Sequence, residues 1–267
     1  MNKIKKDNLG IGVMSSINFK DRYESCKQTW LKDFDNTFIF GGHGSNTIDS
    51  NLISISNAGE DWQSCFLKQQ IGLKHMYECN PNFDWYSISG CDNIIFKERV
   101  ISELSKYSPN DDFFISEPCG IWSVNPTLHQ ITSLSYESYK LNENNFQAIA
   151  GGASFFISNS LMKKCYQIID EFNIYWEKIA IGYYYGCADV AISLMIKKYF
   201  NISAISNPFM FSQNPSFYEK LISDKNSSDR QYYVNIPEIQ ENIKTPISLH
   251  YVKPVEMKSI YDKYKNK

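Results

Sequence analysis

Four short stretches of this chain carry side chains that can do chemistry. In the first, Phe83-Asp84-Trp85-Tyr86-Ser87-Ile88-Ser89-Gly90-Cys91-Asp92-Asn93, an apolar run meets an acidic turn. A rigid strand ending there can aim the Asp92 carboxylate at a divalent cation, although Asp-Asn after a strand is also ordinary turn chemistry. His250, closing the apolar run Pro246 to Leu249, offers an imidazole suited to Mn²⁺ or to a purely structural bond. Asp189 follows Gly186-Cys187-Ala188 at a helix start, where it either complements the helix dipole or serves as general base toward a hydroxyl. Gly151-Gly152-Ala153-Ser154 either lets backbone approach a ligand closely or makes a tight turn.

These groups act together only if the fold brings them to one place. Leu9 to Ser16 reads as a first strand ending in small polar residues, followed by a helix from about Asp21 to Phe34. Strands at Thr37 to Phe40 and Leu52 to Ile55 come next, then a long amphipathic helix, Asp61 to Cys79, and the strand Trp85 to Ile88. Alternation of this kind indicates βαβ units and a mostly parallel sheet flanked by helices, an α/β fold. In such sheets ligands bind at the carboxyl ends of strands, where Ser15, Ser16, Gly41, Gly42 and Asp92 fall. Farther on, Asp112 to Ser116 and Ala153 to Ser158 read as strands, with the polar stretch Pro126 to Asn145 unassigned between them. Helices follow at Ser158 to Phe172 and Cys187 to Phe200, then a mixed stretch from Asn207 to Asn235, a strand at Pro246 to Val252 and a helix at Val255 to Lys265. Repeats and obvious linkers are lacking, so residues 1–267 read as one domain.

Composition bounds the function. An apolar content of 43% supports a large core, and a formal charge of −2 gives no electrostatic reason to expect nucleic acid. No apolar run is long enough to span a bilayer, and the basic N-terminus lacks the apolar stretch of a signal peptide. Seven cysteines without a Cys-x-x-Cys pair indicate reduced thiols and a cytoplasmic setting. The lysine-rich ends, Lys3 to Lys6 and Lys258 to Lys267, leave peripheral contact with an anionic membrane face open.

The order of motifs is more telling than any one of them. It runs Arg22…Thr29-Trp30, Lys68, Asp84-Trp85-Tyr86 with Asp92-Asn93, Gly151-Gly152-Ala153-Ser154-Phe155-Phe156-Ile157-Ser158, Asp189-Val190, then Ser248-Leu249-His250-Tyr251-Val252-Lys253-Pro254. From Leu9 to Pro254 this series resembles the Fringe and core-1 β1,3-galactosyltransferase family of inverting glycosyltransferases. The resemblance implies a Rossmann-like GT-A fold, with a nucleotide-binding part at about residues 9–110 and an acceptor side at about 111–254. It implies a UDP-sugar donor, galactose favoured, and a glycan or lipid-linked oligosaccharide acceptor, with Mn²⁺ or another divalent cation held by Asp92 and His250. Asp189 matches the catalytic base. Ser15, Ser16, Arg22, Lys68, Gly90, Cys91, Asp92, Gly151 and Gly152 match the nucleotide-sugar site. The chain departs from the pattern where Gly90 and Cys91 replace two carboxylates of the acidic triplet, where Ala188 precedes Asp189, and where Ser154 replaces a glycine. Two readings follow: an active transferase of surface-glycan synthesis, or a weakened relative that binds a nucleotide sugar or glycan without transferring it. Asp61-Trp62, Trp122 and the stretch Trp176 to Tyr185 are the aromatic candidates for sugar stacking, with Tyr183-Tyr184-Tyr185-Gly186 the best placed.

Overall fold

A computed structural model describes residues 8–125, 130–134, 145–229 and 235–266; Lys3 to Lys6 and most of the unassigned stretch after Asn125 lie outside these. The first half alternates as the sequence predicts. Strands β1 (Leu9–Met14), β2 (Thr37–Gly41), β3 (Ile53–Ser54) and β4 (Trp85–Gly90) are joined through helices α1 (Lys20–Gln28), α2 (Ser45–Ile48) and α3 (Cys65–Cys79). Strand β5 (Ile94–Ile95), helix α4 (Lys97–Leu104) and strand β6 (Phe114–Ser116) follow. A small antiparallel sheet then forms from β7 (Pro118–Asn125), β8 (Gln130–Leu134) and β9 (Asn145–Ile149), with β7 in the middle. Strand β10 (Phe155–Ser158) leads into α5 (Asn159–Ile179) and α6 (Ala188–Phe200). The chain closes through β11 (Ile205–Ser206), β12 (Met210–Phe211), α7 (Pro215–Ser223), α8 (Ile236–Asn242), β13 (Ser248–Leu249) and α9 (Pro254–Lys265).

Seven strands make the central sheet in the order β11-β6-β10-β4-β1-β2-β3. All its pairings are parallel except those of β10, which runs antiparallel to both β4 and β6. That reversal matters. Met14 pairs with Gly90, so β1 and β4 end side by side, while Ile157 pairs with Tyr86. The start of β10, with the Gly151 turn before it, therefore arrives at the edge where β1 and β4 finish. Apolar layers cover both faces of the sheet: Tyr23, Trp30, Trp85, Leu249 and Met257 on one, Phe66, Met76, Phe155, Leu161 and Trp176 on the other.

Boundaries shift for local reasons. Helix α1 stops at Gln28, not Phe34, because Thr29 leaves helical geometry (φ −113°, ψ −104°) and Trp30 turns wholly into the core. Helix α3 starts at Cys65, not Asp61, because the Asp61 carboxylate caps the preceding turn through Ser64 N and Oγ. Helix α5 runs on to Ile179 because Trp176 and Ile179 continue its buried stripe. Of the two caps the sequence offers, Ser158 and Asn159, Ser158 fills the position, its hydroxyl accepting from Leu161 N. Among the described residues, no helix is long and apolar enough to cross a membrane.

Candidate active site

At the carboxyl edge of the sheet lies a cavity of about 470 Å³. It is lined by Ser15, Ser16 and Arg22 beyond β1, Lys68 on α3, Gly90, Cys91 and Asp92 beyond β4, Gly151 before β10, Asp189 on α6, and His250 after β13. Residues up to 235 positions apart in sequence were placed together by the motif order; Gly152 is the middle residue of the turn Gly151–Ala153.

Asp92 and His250 meet because β5 and β13 pair antiparallel, Ile94 with Leu249 and Ile95 with Ser248. Continuing that register sets Asn93 and Asp92 opposite His250 and Tyr251, and Val252 N donates to Asp92 O at 2.9 Å. The imidazole Nδ1 lies 3.1 Å from the Ser212 carbonyl, which can only accept, so Nδ1 carries a proton. Nε2 then faces Asp92 Oδ1 at 3.4 Å. Neutral imidazole would put a lone pair against a carboxylate there, which is repulsive unless a cation, a proton or a metal ion, stands between them. Two ligands around one ion with bonds of about 2.1 Å sit at this kind of separation, and a backbone carbonyl behind a ligating imidazole is the usual support. The pair therefore fits a divalent cation. Among the described residues no cluster of three or more His, Cys, Asp or Glu could hold one, so further ligands must come from elsewhere. Burial pushes the Asp92 carboxyl up, but the His250 hydrogen bond, the His250 charge and Arg22 outweigh it, and the carboxyl titrates below its ordinary range. The Arg22 guanidinium stands 3.6 Å from Asp92 Oδ2 and lies over the Phe19 ring. Gly90 explains one departure from the acidic triplet: a Cβ there would come within 2.7 Å of Asp92 Oδ1, so this pose of Asp92 excludes a side chain at 90.

Asp189 forms the facing wall. It occupies the first turn of α6, and its carboxylate accepts from Val190 N at 2.9 Å and Gly151 N at 3.3 Å. Burial raises its pKa; the backbone N–H groups of Val190 and Gly151 offset this in part. A carboxylate held this way is the stronger base. Gly151 is required by the contact, since a Cβ on it would fall 2.3 Å from Asp189 Cβ. Ser154 takes φ +72°, which glycine adopts freely and serine does not. Asn93 Nδ2 donates to its hydroxyl and Ser116 Oγ to its carbonyl, so local bonds hold a strain of about 1–3 kcal/mol.

The floor is polar and closed. Lys68 is buried, donating to Ser15 O at 2.8 Å and pairing with Glu60 Oε2 at 3.3 Å. Glu60, which motif reading passes over, also accepts from Ile17 N at 3.3 Å and Gly42 N at 2.8 Å, tying the ends of β1 and β2 to α3. The Ser16 hydroxyl is engaged in structure, accepting from Asn18 N and donating to Glu60 O. The Ser15 hydroxyl is buried with no well-formed hydrogen bond among the described residues. Glu60 is signalled in sequence only by lying eight residues before Lys68. Tyr251 was also missed; its ring stacks on His250 at 3.7 Å, and its backbone takes φ +53°. Of the aromatic candidates, Trp62 lines the cavity, whereas Trp176 is wholly in the core and Trp122 packs edge-on to Tyr184.

Comparisons with known proteins bear on the family and the fold. A family model described as Fringe-like matches residues 4–261. No curated protein matches the chain. Among solved structures, the apo WbbM bifunctional glycosyltransferase superposes with a TM-score of 0.50 at 11% identity, covering 99% of this chain and 53% of that one. This chain thus spans about half the length of that protein. A glycosyltransferase involved in glycosylating the major capsid of PBCV-1 gives a TM-score of 0.45 at 11% identity, covering 95% and 99% of the two chains. Galactosyltransferase LgtC, in complex with donor and acceptor sugar analogs, gives 0.46 at 10% identity, covering 96% of each.

Proposed function

This chain belongs to the Fringe-like family and has the GT-A fold, and we propose from its cavity that it is an inverting glycosyltransferase. It moves a hexose or N-acetylhexosamine, galactose favoured, from a UDP-sugar to a glycan or lipid-linked oligosaccharide hydroxyl, in β1,3 linkage, during surface-glycan synthesis. The observation that carries the reading is one cavity with two chemically opposed walls. Asp189, a carboxylate with a raised pKa, faces a cation-binding pair, Asp92 and His250, beside the Arg22 guanidinium.

Each residue has work in a direct displacement. Asp189 removes the proton of the acceptor hydroxyl as that oxygen bonds to the anomeric carbon. The bond from that carbon to the diphosphate breaks, and its electron pair leaves with UDP. Arg22 reaches the wall where this negative charge develops. Lys68 acts through Ser15 and Glu60, fixing the strand ends that receive the nucleotide. A divalent ion such as Mn²⁺, held by Asp92 and His250, would supply charge neutralisation at the diphosphate. A weakened, non-transferring binder is the second reading, favoured by Gly90 and Cys91 standing where carboxylates are expected. Membrane contact through α9 would have to compete with existing pairs, since Lys258, Lys263 and Lys265 already meet Asp262, Glu219 and Asp33.

Asp189→Asn tests the assignment. Loss of a general base lowers turnover by about 10²–10⁴-fold, while UDP affinity stays near wild type. The variant should not be fragile. A carboxyl whose pKa is raised on folding is stabilising when protonated and loses that advantage as pH rises through its folded value. Asp189→Asn should therefore melt at or above wild type at neutral pH, with the gap closing below about pH 4. Near-normal turnover would remove Asp189 from the role.

A further inference from the structure

An exposed aromatic ring leaves apolar area in water and invites unwanted association, so a cluster of them marks a surface with a use. Among the described residues, the exposed aromatic side chains are Phe19, Trp62, Tyr183 and Tyr251, at 41%, 51%, 69% and 53%. All four gather at the cavity. Phe19, Trp62 and Tyr251 line it, and Tyr183 stacks on Trp62 with ring centroids 5.9 Å apart and planes 20° from parallel. Of the exposed aliphatics, Ile48, Ile174 and Val255 lie on α2, α5 and α9 and Ile181 just precedes Tyr183; none of the four lines the cavity.

Phe19 is already covered by the Arg22 guanidinium, 4.4 Å above its ring. The other three flank Asp189. Trp62 is pressed against the turn that leads into α6: a Cβ on Gly186 would lie 2.7 Å from both the indole nitrogen and Trp62 O. Tyr251, stacked on His250, feels the charges of Asp92 and Asp189 and the Tyr183 phenol, and so sits among all three. Among the described residues, the lysines and arginines that line the cavity are Arg22 and Lys68, which belong to the opposite wall and the floor.

We propose that Trp62, Tyr183 and Tyr251 form the acceptor subsite, taking a neutral pyranose whose apolar C–H face lies on the Trp62–Tyr183 pair while one hydroxyl faces Asp189. This rests on the glycosyl-transfer reading and adds the chemical class of the acceptor group. A sugar ring suits the place because it offers an apolar face for stacking and a rim of hydroxyls for the base, whereas an anionic group would meet two carboxylates.

Trp62 provides its own probe. Trp30, Trp85 and Trp176 are buried and Trp122 is partly buried, so changes at the surface are read through Trp62. The full chain is titrated with methyl β-galactopyranoside, methyl α-glucopyranoside and methyl N-acetyl-β-glucosaminide while tryptophan emission is followed; a UDP–Mn²⁺ thermal shift is recorded in parallel. The expected result is a saturable change with a millimolar Kd for at least one glycoside, weakened about tenfold in Tyr183→Ala and retained in Tyr183→Phe. No saturable change with any glycoside, in protein that UDP stabilises, overturns the subsite and leaves the donor reading standing. A signal displaced by UDP-sugar but not by UDP assigns the rings to the donor sugar and also overturns it. If neither UDP nor any glycoside binds, the glycosyl-transfer reading falls and this inference with it.

Discussion

The two walls of the cavity are built on different principles. The wall made by β1, β2, β4 and α3 is buried, ordered by adjacent parallel strands, and closed by polar contacts: Lys68 to Ser15, and Glu60 to Ile17, Gly42 and Lys68. The rest of the lining, from Asp189 round to His250 and Tyr251, is made of turns and termini. Ser154 and Tyr251 hold positive φ there, Gly151 is squeezed against Asp189, and Trp62, Tyr183 and Tyr251 stay exposed. A floor fixed by strand ends suits a ligand part that never varies; a wall of turns and open rings can be altered residue by residue without disturbing the sheet. The difference teaches where the fold keeps rigidity and where it keeps adaptable surface.

Substitutions can break this contrast. Gly151→Ala should have the largest effect, because the new methyl must displace Asp189 or the turn. A misplacement near 1 Å costs about 10²-fold in turnover, so steady-state UDP release should fall by that order while UDP binding changes much less. Equal loss of both would mean the two walls are one mechanical unit. On the opposite wall the effect should appear as stability. Lys68→Met leaves Glu60 partly buried without its cation; buried pairs broken on one side lose about 3–5 kcal/mol, and the part-exposed Glu60 brings this to roughly 2–3 kcal/mol. Glu60→Gln leaves the more deeply buried Lys68 without its counter-charge, but the amide oxygen can still accept from Lys68 and Lys68 keeps its bond to Ser15 O, so the loss should be of similar size, about 2 kcal/mol. Urea unfolding reads both, and a ranking with Glu60→Gln the worse would show that the carboxylate, not the ammonium, organises the floor.

Legibility in the sequence follows the same divide. The alternation from Leu9 to Asp92 predicts the parallel strands and the edge where they end, since β1 and β4 are buried on both faces and the helix between β3 and β4 keeps a buried stripe. The cap of α5 is narrowed to Ser158 or Asn159 by their position before an apolar-periodic run, and only the structure decides for Ser158. The small sheet β8-β7-β9 could not be read. Its middle strand carries an irregularity between Pro118 and Ile121 and a positive φ at Gly120, and most of its residues are only partly buried, so no clean period of two survives. Strand β5 and helix α4 are short, and their signal is lost beside the acidic turn. Of the residues that line the cavity, those in recognisable motifs are legible in the sequence, whereas Glu60 and Tyr251 are not. Glu60 matters through contacts 18 and 43 residues away, and Tyr251 through a stack on its neighbour and a backbone angle, neither of which a residue type announces.

The most direct test of the account is UDP release from UDP-Gal, UDP-GlcNAc, UDP-Glc and UDP-GalNAc, each with Mn²⁺ and with EDTA, alongside the thermal shift of the same mixtures. The account predicts stabilisation and slow UDP release with one donor, both lost in EDTA, because the ion that Asp92 and His250 would hold is what would neutralise the diphosphate. Neither stabilisation nor release with any donor, with or without Mn²⁺, would contradict it.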